Sequence, residues 1–218
     1  MKWFYWLCWG LVRFYLKVFC RLQIIGEENI PMTGGIIIAA NHIGAGDPPF
    51  IAVSVKREVY FLAKRELFEN FLLGTLIKNL NAIPVIRGVL DQSALGKVEA
   101  SLKKGYGLLL FPEGTRSKTG ELRKGKPGVG LLARRTLSPI IPTYIENSRG
   151  FAKLIFGGKR LKIRFGEPIS RDQIASYPDD KEGYRAIAEL LMTKIEALGR
   201  EYSEGKVGDA GYKESGNH

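Results

Sequence analysis

Short apolar runs rich in isoleucine and valine recur along the chain, at residues 35–40, 59–63, 82–86, 106–111, 140–145 and 161–165. A strand that is apolar on both faces has to be covered on both faces, and a parallel sheet between helices supplies that environment. Helical patterns fill the intervals, at residues 48–55, 66–79, 91–104 and 127–135. The alternation predicts an α/β fold with a mainly parallel central sheet flanked by helices. A last helix, 181–198, places Ile187, Leu191, Ile195 and Leu198 on one face and is expected to stop at Gly199. Residues 22–202 then form one domain. Residues 203–218 are polar and glycine-rich, a composition that predicts a disordered tail.

Residues 1–21 read differently. They hold all three tryptophans and eight of the 23 aromatic residues, and no acidic side chain precedes Glu27. Their longest uncharged run, 3–12, is about half of the roughly 18 residues that a spanning helix needs. On a helical wheel Lys2, Arg13, Lys17 and Arg21 fall within an arc of about 100°. The pattern favours a membrane-associating helix that lies in the interface, with cations reaching phosphate and tryptophans at headgroup depth; a tilted spanning anchor and a core helix of the domain are the alternatives. The first alanine is Ala39, so no cleaved signal peptide is expected. A membrane-associated protein on the cytoplasmic face is the expected location.

The 218 residues carry 33 Lys+Arg against 22 Asp+Glu, a formal charge of +11. Such a balance points to anionic partners: phosphates, an acidic lipid surface or an acidic protein. No nucleic-acid motif accompanies the charge, and nucleic acid is not an expected partner. The only cysteines, Cys8 and Cys20, sit in the N-terminal segment, which argues against a disulfide framework, a metal site or a thiol nucleophile in the domain. There is also no Gly-x-Ser-x-Gly elbow and no phosphate loop of the Gly-x4-Gly-Lys-Ser/Thr type.

Ligands of open α/β sheets collect beyond the carboxyl ends of the strands. Three such segments carry chemistry. The run 35–40 leads into Asn41-His42, and His42 is the one histidine apart from His218. Residues five apart on a continuous helix sit roughly 140° from each other, so His42 and Asp47 can meet only if the chain turns between them. Gly44, Ala45 and Gly46 allow that turn. Asp47 before Pro48 reads as an N-cap followed by a first-turn proline; a capping aspartate beside a solvated loop histidine is the plain alternative. Arg87 follows the run 82–86. The third segment, 111–117 (Phe-Pro-Glu-Gly-Thr-Arg-Ser), offers a carboxylate, hydroxyls and a guanidinium able to grip phosphate through two hydrogen bonds, or else is a charged surface turn. Lys64, at another strand end, adds a cation, and seven basic residues against one acid lie between Arg116 and Arg135. A histidine oriented by an aspartate, close to phosphate-binding cations, suits general-base catalysis with the nucleophile supplied by the substrate.

Asn41-His42-x4-Asp47, Ile83-Pro84-x2-Arg87, Phe111-Pro112-Glu113-Gly114-Thr115-Arg116-Ser117 and Ile140-Ile141-Pro142-Thr143 resemble, in order and spacing, the four motifs of the 1-acylglycerol-3-phosphate acyltransferases. Thr143 stands where an apolar residue is expected. The resemblance implies the glycerolipid acyltransferase fold. It also implies transfer of a fatty acyl group from acyl-CoA or acyl carrier protein, acting as co-substrate, to the sn-2 hydroxyl of lysophosphatidic acid, giving phosphatidic acid. No cofactor and no metal are implied. His42 would be the base and Asp47 its partner, while Arg87, Glu113, Gly114, Thr115 and Arg116 would hold the glycerol phosphate. Lys64 is added to them as a phosphate ligand on its position alone. Backbone amides near residues 44–47 or at Gly114 are candidate oxyanion donors. A different acceptor, another lysophospholipid or glycerol 3-phosphate, keeps the same chemistry. A non-catalytic basic module binding membrane or nucleic acid would leave His42 and Asp47 without a role.

Overall fold

The computed structural model describes residues 2–86, 92–150 and 160–209. Its strands are β1 (Gln23–Ile25), β2 (Ile36–Ala40), β3 (Val59–Lys64), β4 (Ala82–Val85), β5 (Gly107–Leu110), β6 (Ile140–Glu146) and β7 (Lys162–Phe165). Among the described residues they form one sheet in the order β1-β7-β6-β2-β5-β3-β4. All neighbours are parallel except β6 and β7, so the sheet is mainly parallel with an antiparallel margin. The central strand β2 is Ile-Ile-Ile-Ala-Ala, every residue of it buried, because helices cover both of its faces.

The helices are α1 (Lys2–Phe19), α2 (Asp47–Ala52), α3 (Phe71–Asn79), α4 (Gln92–Lys103), α5 (Gly128–Thr136), α6 (Arg171–Ala175) and α7 (Lys181–Asp209). One core layer packs α1 and α2 against β2, β6 and β7, with Leu16, Ile51, Ile145 and Ile163 fully buried. The opposite layer packs α4, α5 and α7, and Ile187, Leu191 and Ile195 form the buried stripe expected from their spacing. Burying one such leucine or isoleucine contributes roughly 1.5–3 kcal/mol.

The structure corrects several expectations. The stretch 66–79 is not one helix: a 3-10 turn, Arg65–Phe68, precedes α3, and the Asn70 side chain caps α3 by accepting from Leu73 N at 2.9 Å. Gly199 does not end α7, which runs on to Asp209, into the stretch whose composition suggested disorder; residues 210–218 lie outside the described residues. A Cβ at Gly199 would lie 2.9 Å from the Tyr144 ring, so this glycine serves close packing. The three-residue strand β1 and the five-residue α6 were not foreseen, being too short for a periodic signal.

In α1, Tyr5 and Leu16 face the core, as does Cys20 just beyond its end. The Tyr5 hydroxyl accepts from Val59 N at 3.1 Å, and burial pushes this phenol up to about 12. Arg13 does not reach outward as Lys17 and Arg21 do. Its guanidinium lies over the Trp9 ring at 4.8 Å, donates to Val53 O at 2.8 Å and pairs with Glu27, because the inner face of the helix offers these partners. The outward face holds Trp3, Leu7, Leu11, Phe14 and Val18, each 48–66% exposed and together within an arc of about 80°. Among the described residues no helix is long and apolar enough to cross a membrane.

Candidate active site

Strand β2 delivers His42 to the carboxyl end of the sheet, and the next few residues fix it there. The Asn41 amide ties this end to β6, donating to Ile145 O at 3.0 Å and accepting from Ile145 N at 2.7 Å. The backbone of His42 is held on both sides: its N–H donates to Glu113 Oε1 at 2.9 Å, and its carbonyl accepts from Ser117 N at 2.8 Å. Phe111 stacks on the imidazole with centroids 4.0 Å apart and planes 20° from parallel. Backbone and ring plane are thereby set before any substrate arrives.

His42 Nδ1 lies 2.8 Å from Asp47 Oδ2. The chain turns between them as the spacing required, but Asp47 is the first residue of α2 and Gly46 occupies the N-cap position without a side-chain bond. The carboxylate points back into the turn. Oδ2 also accepts from Ile43 N at 2.7 Å and Gly44 N at 2.8 Å, while Oδ1 accepts from the Ser148 hydroxyl. Four donors thus converge on the carboxylate, three on Oδ2 and one on Oδ1. Because Asp47 takes Nδ1, that nitrogen carries the hydrogen and Nε2 keeps its lone pair for chemistry. Neither Gly44 nor Gly46 has a positive φ. Space is what they provide: a Cβ at Gly44 would lie 2.6 Å from Ser148 O, and one at Gly46 would lie 2.5 Å from the Phe50 ring.

Asp47 is fully buried and the His42 side chain is 16% exposed, opening into a cavity of about 340 Å3. Exposed Lys64, Arg116 and Lys126 stand at its rim together with Gly114 and Thr115. Among the described residues none of the three cations makes an ion pair. Deeper in, the walls are apolar: Leu62, Val85, Leu110, Val129 and Leu132. One cavity therefore offers a base, a cationic rim and an apolar interior. A larger cavity of about 860 Å3, between α3, β4 and α4, contains neither histidine nor carboxylate, so size does not mark the site.

The cavity thus gathers His42, Lys64, Gly114, Thr115 and Arg116 of the residues expected from sequence, with Asp47 behind the base. Arg87 lies outside the described residues. Glu113 is corrected: it does not line the cavity, and both of its oxygens are engaged by backbone N–H groups, of His42 and of Arg123 at 3.3 Å. Burial raises its pKa, against the lowering effect of those two N–H groups and of the positive charges nearby. Thr143 is fully buried, bonds Ile141 O and is no part of the cavity wall. The N–H groups of Gly44, Asp47 and Gly114, candidate oxyanion donors, all bond internal acceptors. Ser148 and Lys126 were missed as site residues. Ser148 lies 101 positions from Asp47, where no spacing could reveal it, and Lys126 was one cation in a long basic run.

A family model described as acyltransferase matches residues 21–146. The chain is 29% identical over 192 residues to the 1-acyl-sn-glycerol-3-phosphate acyltransferase of Bacillus subtilis, covering 88% of this chain and 94% of that one. It is 30% identical over 184 residues to the protein of the same name from Borreliella burgdorferi, covering 82% and 73%. The crystal structure of the 1-acyl-sn-glycerophosphate acyltransferase from Thermotoga maritima superposes with a TM-score of 0.63 at 26% identity, covering 85% of this chain and 78% of that one. These likenesses place the chain, with its His42–Asp47 pair beside a cationic cavity rim, in the acyltransferase family, among the 1-acyl-sn-glycerol-3-phosphate acyltransferases.

Proposed function

We propose that the protein moves a fatty acyl group from a thioester, acyl-CoA or acyl carrier protein, to the sn-2 hydroxyl of 1-acylglycerol 3-phosphate. The observation that carries this reading is the placing of His42 Nε2 in a cavity whose rim is cationic and whose interior is apolar. The rim suits a phosphate, and the interior suits an acyl chain. Arg116, Lys64 and Lys126 hold the phosphate, and Gly114 and Thr115 lie against the glycerol.

The hydroxyl donates its proton to His42 Nε2 as its oxygen attacks the thioester carbonyl. A tetrahedral intermediate forms and collapses, breaking the C–S bond, and the imidazolium returns the proton to the departing thiolate. Asp47 holds the ring in the working tautomer and stabilises the imidazolium. No acyl-enzyme is required, because the nucleophile belongs to the acceptor.

The outward stripe of α1, flanked by Lys17 and Arg21, supports residence on the cytoplasmic face of a membrane as an interfacial helix. An assay of thiol release tests the reading, comparing lysophosphatidic acid with the phosphate-free monoacylglycerol of the same chain. Rapid release with the first and little with the second is expected. Equal rates with both would contradict a phosphate-recognising rim.

A further inference from the structure

Five of the fifteen residues that follow β3 expose large apolar side chains that the chemistry does not use. Phe71 is 81% exposed and Leu72 78%, and Leu67, Leu73 and Leu76 are 40–42% exposed. Soluble monomers rarely leave so dense a cluster uncovered without a partner. The segment is nonetheless firmly built. A Cβ at Gly74 would lie 2.6 Å from Phe68 O, so α3 packs backbone to backbone on the 3-10 turn before it, and Gly74 N bonds Asn70 O at 2.7 Å. Cations flank the crest on its groove side. Arg65, Lys78, Lys97 and Lys104 line the neighbouring 860 Å3 groove, which has no acidic lining residue, and Lys64 adjoins it; Glu66 and Glu69 are the acids on the turn itself.

Register places this crest beside the active site. Ile38 pairs with Leu109 and Leu109 with Phe61, so counting upward sets His42 level with Arg65, where the exposed segment begins. Lys64, the residue before it, stands on the rim of the catalytic cavity.

We infer that the apolar crest of α3 inserts into an anionic lipid bilayer, bringing the mouth of the His42 cavity against the leaflet that holds the lysophospholipid acceptor. The inference rests on the membrane-surface reading proposed above and adds a second attachment, distinct from α1. The occupant is a bilayer rather than a second copy of the chain, because a crest beside a groove of four cations and no acid, on a chain of charge +11, repels its own kind and attracts acidic headgroups. Side chains reach the acyl boundary while the cations meet phosphate, as in other interfacial helices. The acceptor then enters sideways from the leaflet without crossing water.

The test uses the full chain carrying Phe71→Gln and Leu72→Gln together, both outside the His42 cavity. Sedimentation with phosphatidylglycerol vesicles is measured, together with turnover on two acceptors, a long-chain lysophosphatidic acid in those vesicles and a short-chain one below its micellar concentration. The variant should bind vesicles about tenfold or more weakly and lose turnover on the vesicle acceptor to a similar degree, while keeping wild-type turnover on the soluble one. Equal losses on both acceptors would mark a structural role, and no loss on either would also overturn the inference. So would a wild-type dimer that the two substitutions convert to monomer. Failure of the wild-type protein itself to sediment with vesicles would instead refute the underlying membrane reading.

Discussion

The Ser148 hydroxyl donates to Asp47 Oδ1, the carboxylate oxygen that His42 leaves unused, from 101 positions further along the chain. Ser148→Ala leaves that oxygen buried and without its donor, freeing the carboxylate to rotate. We expect kcat to fall about tenfold with KM for both substrates unchanged, since one buried charge-assisted hydrogen bond is worth about 1.5–3 kcal/mol. Ser148→Thr, which keeps the hydroxyl, should restore much of the rate. A lowered melting temperature with unaltered kcat would reduce Ser148 to a packing role.

Glu113 predicts a pH effect on stability. Burial raises its pKa above the ordinary 4.5, so the folded protein holds this proton more readily than the unfolded chain. The stability it contributes is fully present below the unfolded value and declines as pH rises through the raised folded value. Glu113→Gln removes that slope. It also turns an amide NH2 toward one of two backbone N–H groups, at a cost of about 1–3 kcal/mol. Urea unfolding of both proteins should show the wild type losing ground relative to the variant as pH rises above 4.5; parallel profiles would contradict the assignment.

Asn41→Ala should destabilise by about 2–4 kcal/mol, because it orphans the buried N–H and C=O of Ile145. Equilibrium unfolding measures this directly. Activity at low denaturant should also drop, since the clamp sets where β2 delivers His42.

Arg116→Ala is expected to raise KM for the phosphate-bearing acceptor about tenfold or more, with a smaller change in kcat, as a charge-assisted phosphate contact predicts. Val129→Phe narrows the apolar interior and should shift acyl preference toward shorter chains without altering KM for the acceptor. Competition between donors of two chain lengths reads the second effect.

The sheet was legible because buried parallel strands write themselves as unbroken apolar runs, and β2 through β7 fall within a residue or two of those runs. The pairing of His42 with Asp47 was legible for a similar reason: an i, i+5 spacing excludes a helix, and the glycines between admit a turn. What escaped depends on the third dimension. Ser148 arrives from beyond β6, and Glu113 carries the residue type of a ligand while its position makes it a brace. Arg13 has the spacing of a lipid-facing cation, yet Trp9, Val53 and Glu27 draw it inward. In each case a helical wheel or a motif gives residue identity, and only packing decides which way the side chain faces.

In the proposed reaction His42 Nε2 removes the proton from the acceptor hydroxyl. Steady-state thioester consumption by His42→Ala, with the fold verified by circular dichroism and by vesicle sedimentation equal to wild type, tests it most directly. A loss of roughly 10² to 10⁴ in kcat is expected for a positioned general base. Turnover at the wild-type rate in a folded His42→Ala protein would contradict the account.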